Sequence, residues 1–438
     1  MNRRILSLAV PNIISNVTVP LLGLVDMALL GHLESEAYLG AISLGGMVFN
    51  LLYWGFGFLR MGTAGFSAQA FGKEDWDESG LVMARSLSLG LAIGIGLILL
   101  RTPIGNLSFG LLQGGEDVLR WGRSYYDIRI FAAPATIGTY ALVGWSVGMQ
   151  NTRVPMAVTV LSNVLNIVFS AIFIYVFDLK SDGAAYGTVL AQYGGLILGV
   201  YALRRKYAFA WKWPDWGKVL ERVALKRYFS VNRDIFIRTM CLIAVFNYFT
   251  YASAGLGDTL LAANALLLQF TYFFSYLIDG FAFAAEALAG RYMGEGNLDK
   301  VKQAVKVLFV WGLGLSLAFS GVYALAGEGI LSLLTSNAKV LQAAHPYLIW
   351  TWLIPILGFA SYLWDGIFIG ATAGRQMMLS MMVASLLVFF PVYFSLKGIW
   401  PNHALWAGLS AFLFARGVLQ TFMAKVAVYG KLEAVQSK

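Results

Sequence analysis

The chain has 438 residues, of which 58% are hydrophobic and only 13% charged, with a formal net charge of +9, and its mean hydropathy is +0.68. A water-facing domain typically carries about 25% charged residues, so these proportions exclude a soluble globule and predict an integral membrane protein. The single cysteine, Cys241, excludes an internal disulfide and a cysteine metal cluster, and His32, His345 and His403 lack metal-ligand spacing.

Apolar runs long enough to cross a bilayer recur along the whole chain. They predict an all-α integral membrane fold with twelve transmembrane helices, over 5–31, 39–62, 82–100, 121–149, 155–177, 184–203, 228–254, 260–283, 303–325, 341–370, 374–396 and 402–424. The opening "MNRR" and the apolar stretch after it imitate a signal peptide. That stretch, Ile5 to Leu30, exceeds an h-region of roughly 7–15 residues and is read as a retained first helix.

The first helix carries Asp26, flanked by "LLGLV" and "MALLG" and with no basic residue within a turn. Intramembrane acids are expensive and commonly face a cavity or a partner. Burial without a partner disfavours the charged form, which prepares this carboxylate to bind and release a proton. Pro11 and Pro20 disturb the same helix and make it a candidate hinge. Asn12 lies about 40° from Asp26 around an ideal helix, and Asn16 is nearby. In the fifth helix Asn163, Asn166 and Ser170 share one face. These amides and hydroxyls either hold the proton of a carboxylate or act as interhelical adhesive.

Between the sixth and seventh helices, residues 204–227 ("RRKYAFAWKWPDWGKVLERVALKR") hold the densest basic group. A cytoplasmic connector is expected there, and its Trp/Lys-rich character also suits lipid headgroups. The positive charge is therefore assigned to the membrane surface and not to nucleic acid. The second half has its own acids, Asp279, Glu286 and Asp365. Its seventh helix opens with "NRDIFIR", in which Asp234 and Arg238 have i,i+4 spacing suited to a pair.

The two halves repeat at an offset of about 222 residues. "GMQNTR" at 148–153 returns as "GATAGR" at 370–375, "YYDIRIFAAPA" returns as "YLIWTWLIPIL", and "GFSAQAFGKEDWDESG" is answered by "EALAGRYMGEGNLDK". Six helices per half put both copies in one orientation, around an axis along the membrane normal. With the N-terminus inside, inner loops and tails hold about 18 Lys/Arg and outer loops about 5, as the positive-inside rule requires. The expected organisation is a first lobe over 1–203, a cytoplasmic connector over 204–227 and a second lobe over 228–438, with both termini cytoplasmic.

"LAVPNIISNVTVPLLGLVDMALLGHL" (8–33), "NRDI", "RYMGEGN" and "YLWDGIFIGA" in this order resemble the multidrug and toxic compound extrusion (MATE) family, most closely its DinF-type branch of bacterial inner-membrane exporters. The resemblance covers nearly the entire chain. It implies two six-helix lobes forming a V around a central cleft, alternating access, and export of lipophilic or cationic compounds in exchange for protons. By resemblance Pro11 matches the bending proline and Asp26 the proton-binding aspartate. Tyr126, Asn166 and Thr188 match the hydrogen-bond network of the first lobe. Ser170 stands where many relatives have a second aspartate, and "TMCLIAVF" (239–246) has no acid where the sodium-coupled branch has one. Proton coupling is therefore favoured over sodium. No cofactor is expected beyond the proton gradient, and a monomer is expected.

Tyr53, Trp54, Phe131, Met47 and Met61 are candidates to line an adaptable cavity. A lipid-precursor flippase would need helices beyond twelve and a basic groove. An integral-membrane enzyme would need intramembrane His/Glu metal spacing or a Ser/Lys nucleophile pair, and neither pattern is present in the sequence. Asp365 is expected to contact substrate or support the second lobe.

Overall fold

The computed structural model describes residues 1–30, 36–210 and 214–436; the side chains of 19–28, 30, 36 and 434–436 lie outside that description. The described chain is helical. The first long helix, α1, is Asn2–Leu30 and continues unbroken past Pro11 and Pro20. Eleven more helices among the described residues are long and apolar enough to cross a membrane. They are α2 (Ala37–Gly72), α3 (Trp76–Leu99), α4 (Glu116–Gly148), α5 (Arg153–Val176), α6 (Lys180–Lys206), α7 (Arg222–Ala254), α8 (Asp258–Gly294), α9 (Leu298–Leu334), α10 (Ala338–Gly370), α11 (Gly374–Leu396) and α12 (Pro401–Glu433). Each expected span is matched by one of these twelve helices. Several run on beyond the apolar stretch, because backbone hydrogen bonding does not stop where hydropathy falls.

The internal repeat is visible in the backbone. Gly144 on α4 lies so close to α2 that an added Cβ would sit 2.2 Å from the Arg60 carbonyl oxygen. At the same repeat offset, a Cβ on Gly366 of α10 would sit 2.2 Å from the Ala282 oxygen of α8. One turn further on, Gly148 and Gly370 repeat the pattern against Ala64 and Glu286. Small residues allow this backbone-to-backbone approach, the main way membrane helices gain packing contact.

The ends of these helices repeat as well. After α4 the chain turns through Gln150 (φ 58°), with Asn151 N–H donating to Ser146 O at 2.9 Å. After α10 it turns through Thr372 (φ 49°), with Ala373 N–H donating to Phe368 O at 2.8 Å. Both turns bond in the pattern of a left-handed helix C-cap. The next helices in the repeat, α3 and α9, are capped alike, Asp75 accepting from Glu78 N–H and Asn297 from Lys300 N–H.

The chain forms two compact units, one of Ile14–Tyr228 and the other of Met1–Ile13 with Phe229–Lys438. In this grouping residues 1–13 pack with the second half of the chain. The contacts give the reason. Arg4 Nη1 donates to Tyr292 Oη at 3.1 Å, and Gly280 lets Ala9 and Ile13 lie against α8. Residues 204–228 pack with the first unit. Arg85 of α3 donates from Nε to Val219 O at 3.1 Å and from Nη2 to Lys218 O at 2.8 Å. Phe209 meets Trp76 edge-on.

Candidate functional site

In the first unit α5 turns a polar face toward α1. Asn163 Nδ2 donates to Thr18 O at 3.4 Å, and twelve residues later Tyr175 Oη donates to Leu29 O at 2.6 Å. Two bonds in ascending order on both helices fix a parallel register. At about 1.5 Å per residue, Asp26 lies about 12 Å past Thr18 while Ser170 lies about 10 Å past Asn163. The backbone of Asp26 is therefore level with Ser170. The side chains of Asp26 and Pro20 lie outside the described residues.

Between those two bonds α5 meets α6. Asn166 Nδ2 donates to Thr188 Oγ1 at 2.8 Å, and that hydroxyl donates to Ala184 O at 2.9 Å. Gly187 brings the helices together: a Cβ there would stand 2.5 Å from Ser170 Oγ. Asn166 and Ser170 are both buried, and Asn166 Oδ1 and Ser170 Oγ have no hydrogen-bond partner among the described residues. A buried polar atom left unpaired costs free energy. Both oxygens can accept a proton-bearing group, which is what a neutral carboxyl offers. The face ends in a π-helical turn, Ile172–Val176, which supplies Tyr175. Such turns are frequent at functional sites.

The structure does not bring every expected member into this network. Tyr126 is buried but donates to Arg101 O at 3.2 Å and stacks on Phe49, and among the described residues it makes no hydrogen bond to Asn166 or Thr188. Asn12 is buried and donates to Leu8 O in its own helix, and Asn12 and Pro11 both fall in the segment that packs with the second unit. Asn16 is partly buried. Among the aromatic candidates Tyr53 is buried against Phe49, Met61 is partly buried, and Met47, Trp54 and Phe131 are exposed.

The second unit holds a charged cluster. Asp365 Oδ2 on α10 accepts from Arg238 Nη2 on α7 and from Arg416 Nη2 on α12, the latter at 2.6 Å. Asp365 Oδ1 accepts from Gln420 Nε2 at 2.6 Å. All four residues are buried. Gly417, next to Arg416, lies against Ala360 and Ser361 and draws α12 onto α10. In the structure Arg238 reaches Asp365, and Asp234 accepts from its neighbour Arg233 at 2.9 Å. Asp279 on α8 is partly buried and acts electrostatically on Tyr276 and Tyr362. Glu286 is fully buried. Arg416 and Gln420 were missed. The available signal was an arginine in the middle of an apolar span, with a glutamine on the same helical face.

The MatE family profile matches residues 11–172 and 235–394, one stretch in each half of the chain. The chain belongs to the MatE family. Its MatE relatives include DNA damage-inducible protein F of Escherichia coli (strain K12), 38% identical over 94% of this chain and 89% of that protein. The multidrug export protein MepA of Staphylococcus aureus (strain NCTC 8325 / PS 47) is 22% identical over 84% of this chain and 81% of its own. A crystal structure described as MATE in the bent conformation superposes with a TM-score of 0.90, at 19% identity, covering all of this chain and 97% of that one. The MatE fold, with twelve helices in two six-helix halves, is thus the fold of this chain, a multi-pass membrane transporter.

Proposed function

We propose that this MatE protein is a proton-coupled efflux antiporter of lipophilic, often cationic compounds, acting as a monomer in the bacterial inner membrane with both termini cytoplasmic. Its working lobes are 1–203 and 228–438, joined by a cytoplasmic connector over 204–227. Asp26 is the proton-binding acid. The observation that carries this reading is the register of α5 on α1, which sets Ser170, whose oxygen has no partner among the described residues, level with the Asp26 backbone, with the like oxygen of Asn166 one turn before it. A neutral carboxyl donates one hydrogen bond and an ionised one donates none, so these acceptors favour the protonated form. Ser170 adds no second charge, so uptake of one proton neutralises the site.

Neutralisation changes the free energy of α1 in one conformation more than in the other, and that difference is the coupling. Pro11 has no N–H to give to the carbonyl of Ser7, so bending of α1 there loses less hydrogen bonding than elsewhere. Export of chemically varied drugs is proposed from the likeness to the multidrug export protein MepA. The test is efflux of a cationic dye from proteoliposomes under an imposed pH gradient, with and without sodium. The parent is expected to pump without sodium, and Asp26→Asn to lose pH-driven efflux. Retained efflux by Asp26→Asn would remove Asp26 from the mechanism, and a strict sodium requirement would replace the coupling ion.

A further inference from the structure

We propose that Arg238, Arg416 and Gln420 clamp the Asp365 carboxylate in its ionised form, so that this buried acid of the second unit takes neither the transported proton nor a sodium ion. Arg416 is thus a positioning residue that keeps Asp365 out of proton exchange. The proposal deepens the antiport reading and rests on it for its meaning in transport, while the state of Asp365 can be measured whether or not that reading stands.

The geometry carries the argument. Asp365 Oδ2 is shared by two guanidinium groups and Oδ1 is taken by the Gln420 amide, so every bond to the carboxylate comes from a donor. Donors of this kind favour the charged form and oppose protonation. A metal cation needs the same oxygen lone pairs and would have to displace a guanidinium. The side chains of Asp365 and Arg416 are 9% and 2% exposed, so water screens the pair little. Arg416 and Gln420 are spaced i,i+4 and present one face of α12 to α10. They therefore grip both carboxylate oxygens at once.

Other charges around α10 do not undo this. Asp279 of α8 is partly buried and makes none of the bonds to the Asp365 carboxylate. Glu286 of α8 meets α10 at Gly370, more than a turn beyond Asp365, through its backbone oxygen. Asp299, Lys300, Lys302, Lys306 and Glu328 of α9 are exposed, as is Arg375 of α11.

The experiment is infrared difference spectroscopy of the protonated-carboxyl band across the physiological pH range, in an Asp26→Asn background. With Arg416 intact no band should be lost on adding Asp365→Asn. Arg416→Gln should gain a pH-dependent band that Asp365→Asn abolishes, and Arg416→Lys, which keeps the charge, should not gain it. In the Asp26-containing protein, Arg416→Gln should turn a one-step pH profile of efflux into a two-step one. A band from Asp365 with Arg416 in place would overturn the clamp, as would an Arg416→Gln protein that folds and shows no new band. Should Arg416→Gln not fold, the comparison with and without Asp365→Asn still decides, because it needs no change at Arg416. Failure of the antiport reading would show separately, as pH-driven efflux that survives Asp26→Asn.

Discussion

At the scale of single residues, the Asn166–Thr188 bond at 2.8 Å joins α5 to α6 beside two oxygens with no partner among the described residues. Thr188→Val keeps the shape and removes the acceptor, leaving a buried amide N–H unpaired at a cost of roughly 1–3 kcal/mol. A lowered Tm of the purified protein is expected, and an unchanged Tm would mean that the amide finds another acceptor. Ser170→Ala removes a hydroxyl that has no partner among the described residues, so it should leave Tm within error and reduce pH-driven efflux. A loss of Tm with efflux intact would assign Ser170 to packing alone. The shared face of Asn163, Asn166 and Ser170 was legible in the sequence, because helical periodicity fixes which residues point together. The bonds of Asp365 were not, since its partners lie 127, 51 and 55 residues away and only tertiary packing selects them.

Among the helices, the tightest approaches to backbone among the described residues are those of Gly144 of α4 against α2 and Gly366 of α10 against α8. Gly144→Ala and Gly366→Ala must each push a backbone carbonyl aside, an overpacking cost of typically about 1–3 kcal/mol. Gly314→Ala, where a Cβ would meet nothing within 4 Å, serves as the neutral control. Thermal melting in detergent reads the difference, and equal Tm values for all three would mean that the helices slide apart freely. The loop between α8 and α9 gives a pH dependence. Burial works to raise the pKa of Glu295, but hydrogen bonds from Lys300 and Arg291 outweigh it and hold the carboxyl below the usual glutamate value. A depressed value in the folded state means that its stabilisation is complete above the unfolded glutamate pKa. It is lost as pH falls through the folded value. Glu295→Gln should therefore melt below the parent at neutral pH and converge with it in acid. The repeated motifs pointed to these loops, but the left-handed turns at Gln150 and Thr372 were hidden, because neither residue type advertises a positive φ.

For the whole molecule, the twelve spans were readable because each must carry its own apolar length, and the charge bias between loops predicts their direction. An inside-out test follows from Cys241 being the only thiol. In a Cys241→Ser protein, a cysteine at Lys218 should react with an impermeant maleimide only after cells are opened, and one at Lys339 in intact cells. Labelling of Lys218→Cys in intact cells would invert the topology. The division into units was less legible, since composition does not say with which bundle a helix end packs. Met1–Ile13 groups with Phe229–Lys438, and this bears on any attempt to express the halves as separate fragments. A fragment beginning in the connector would be made without the strand of sequence that completes its own packing. Supplying residues 1–13 as a peptide should rescue such a fragment, because one compact unit of this protein is assembled from two distant stretches of its sequence.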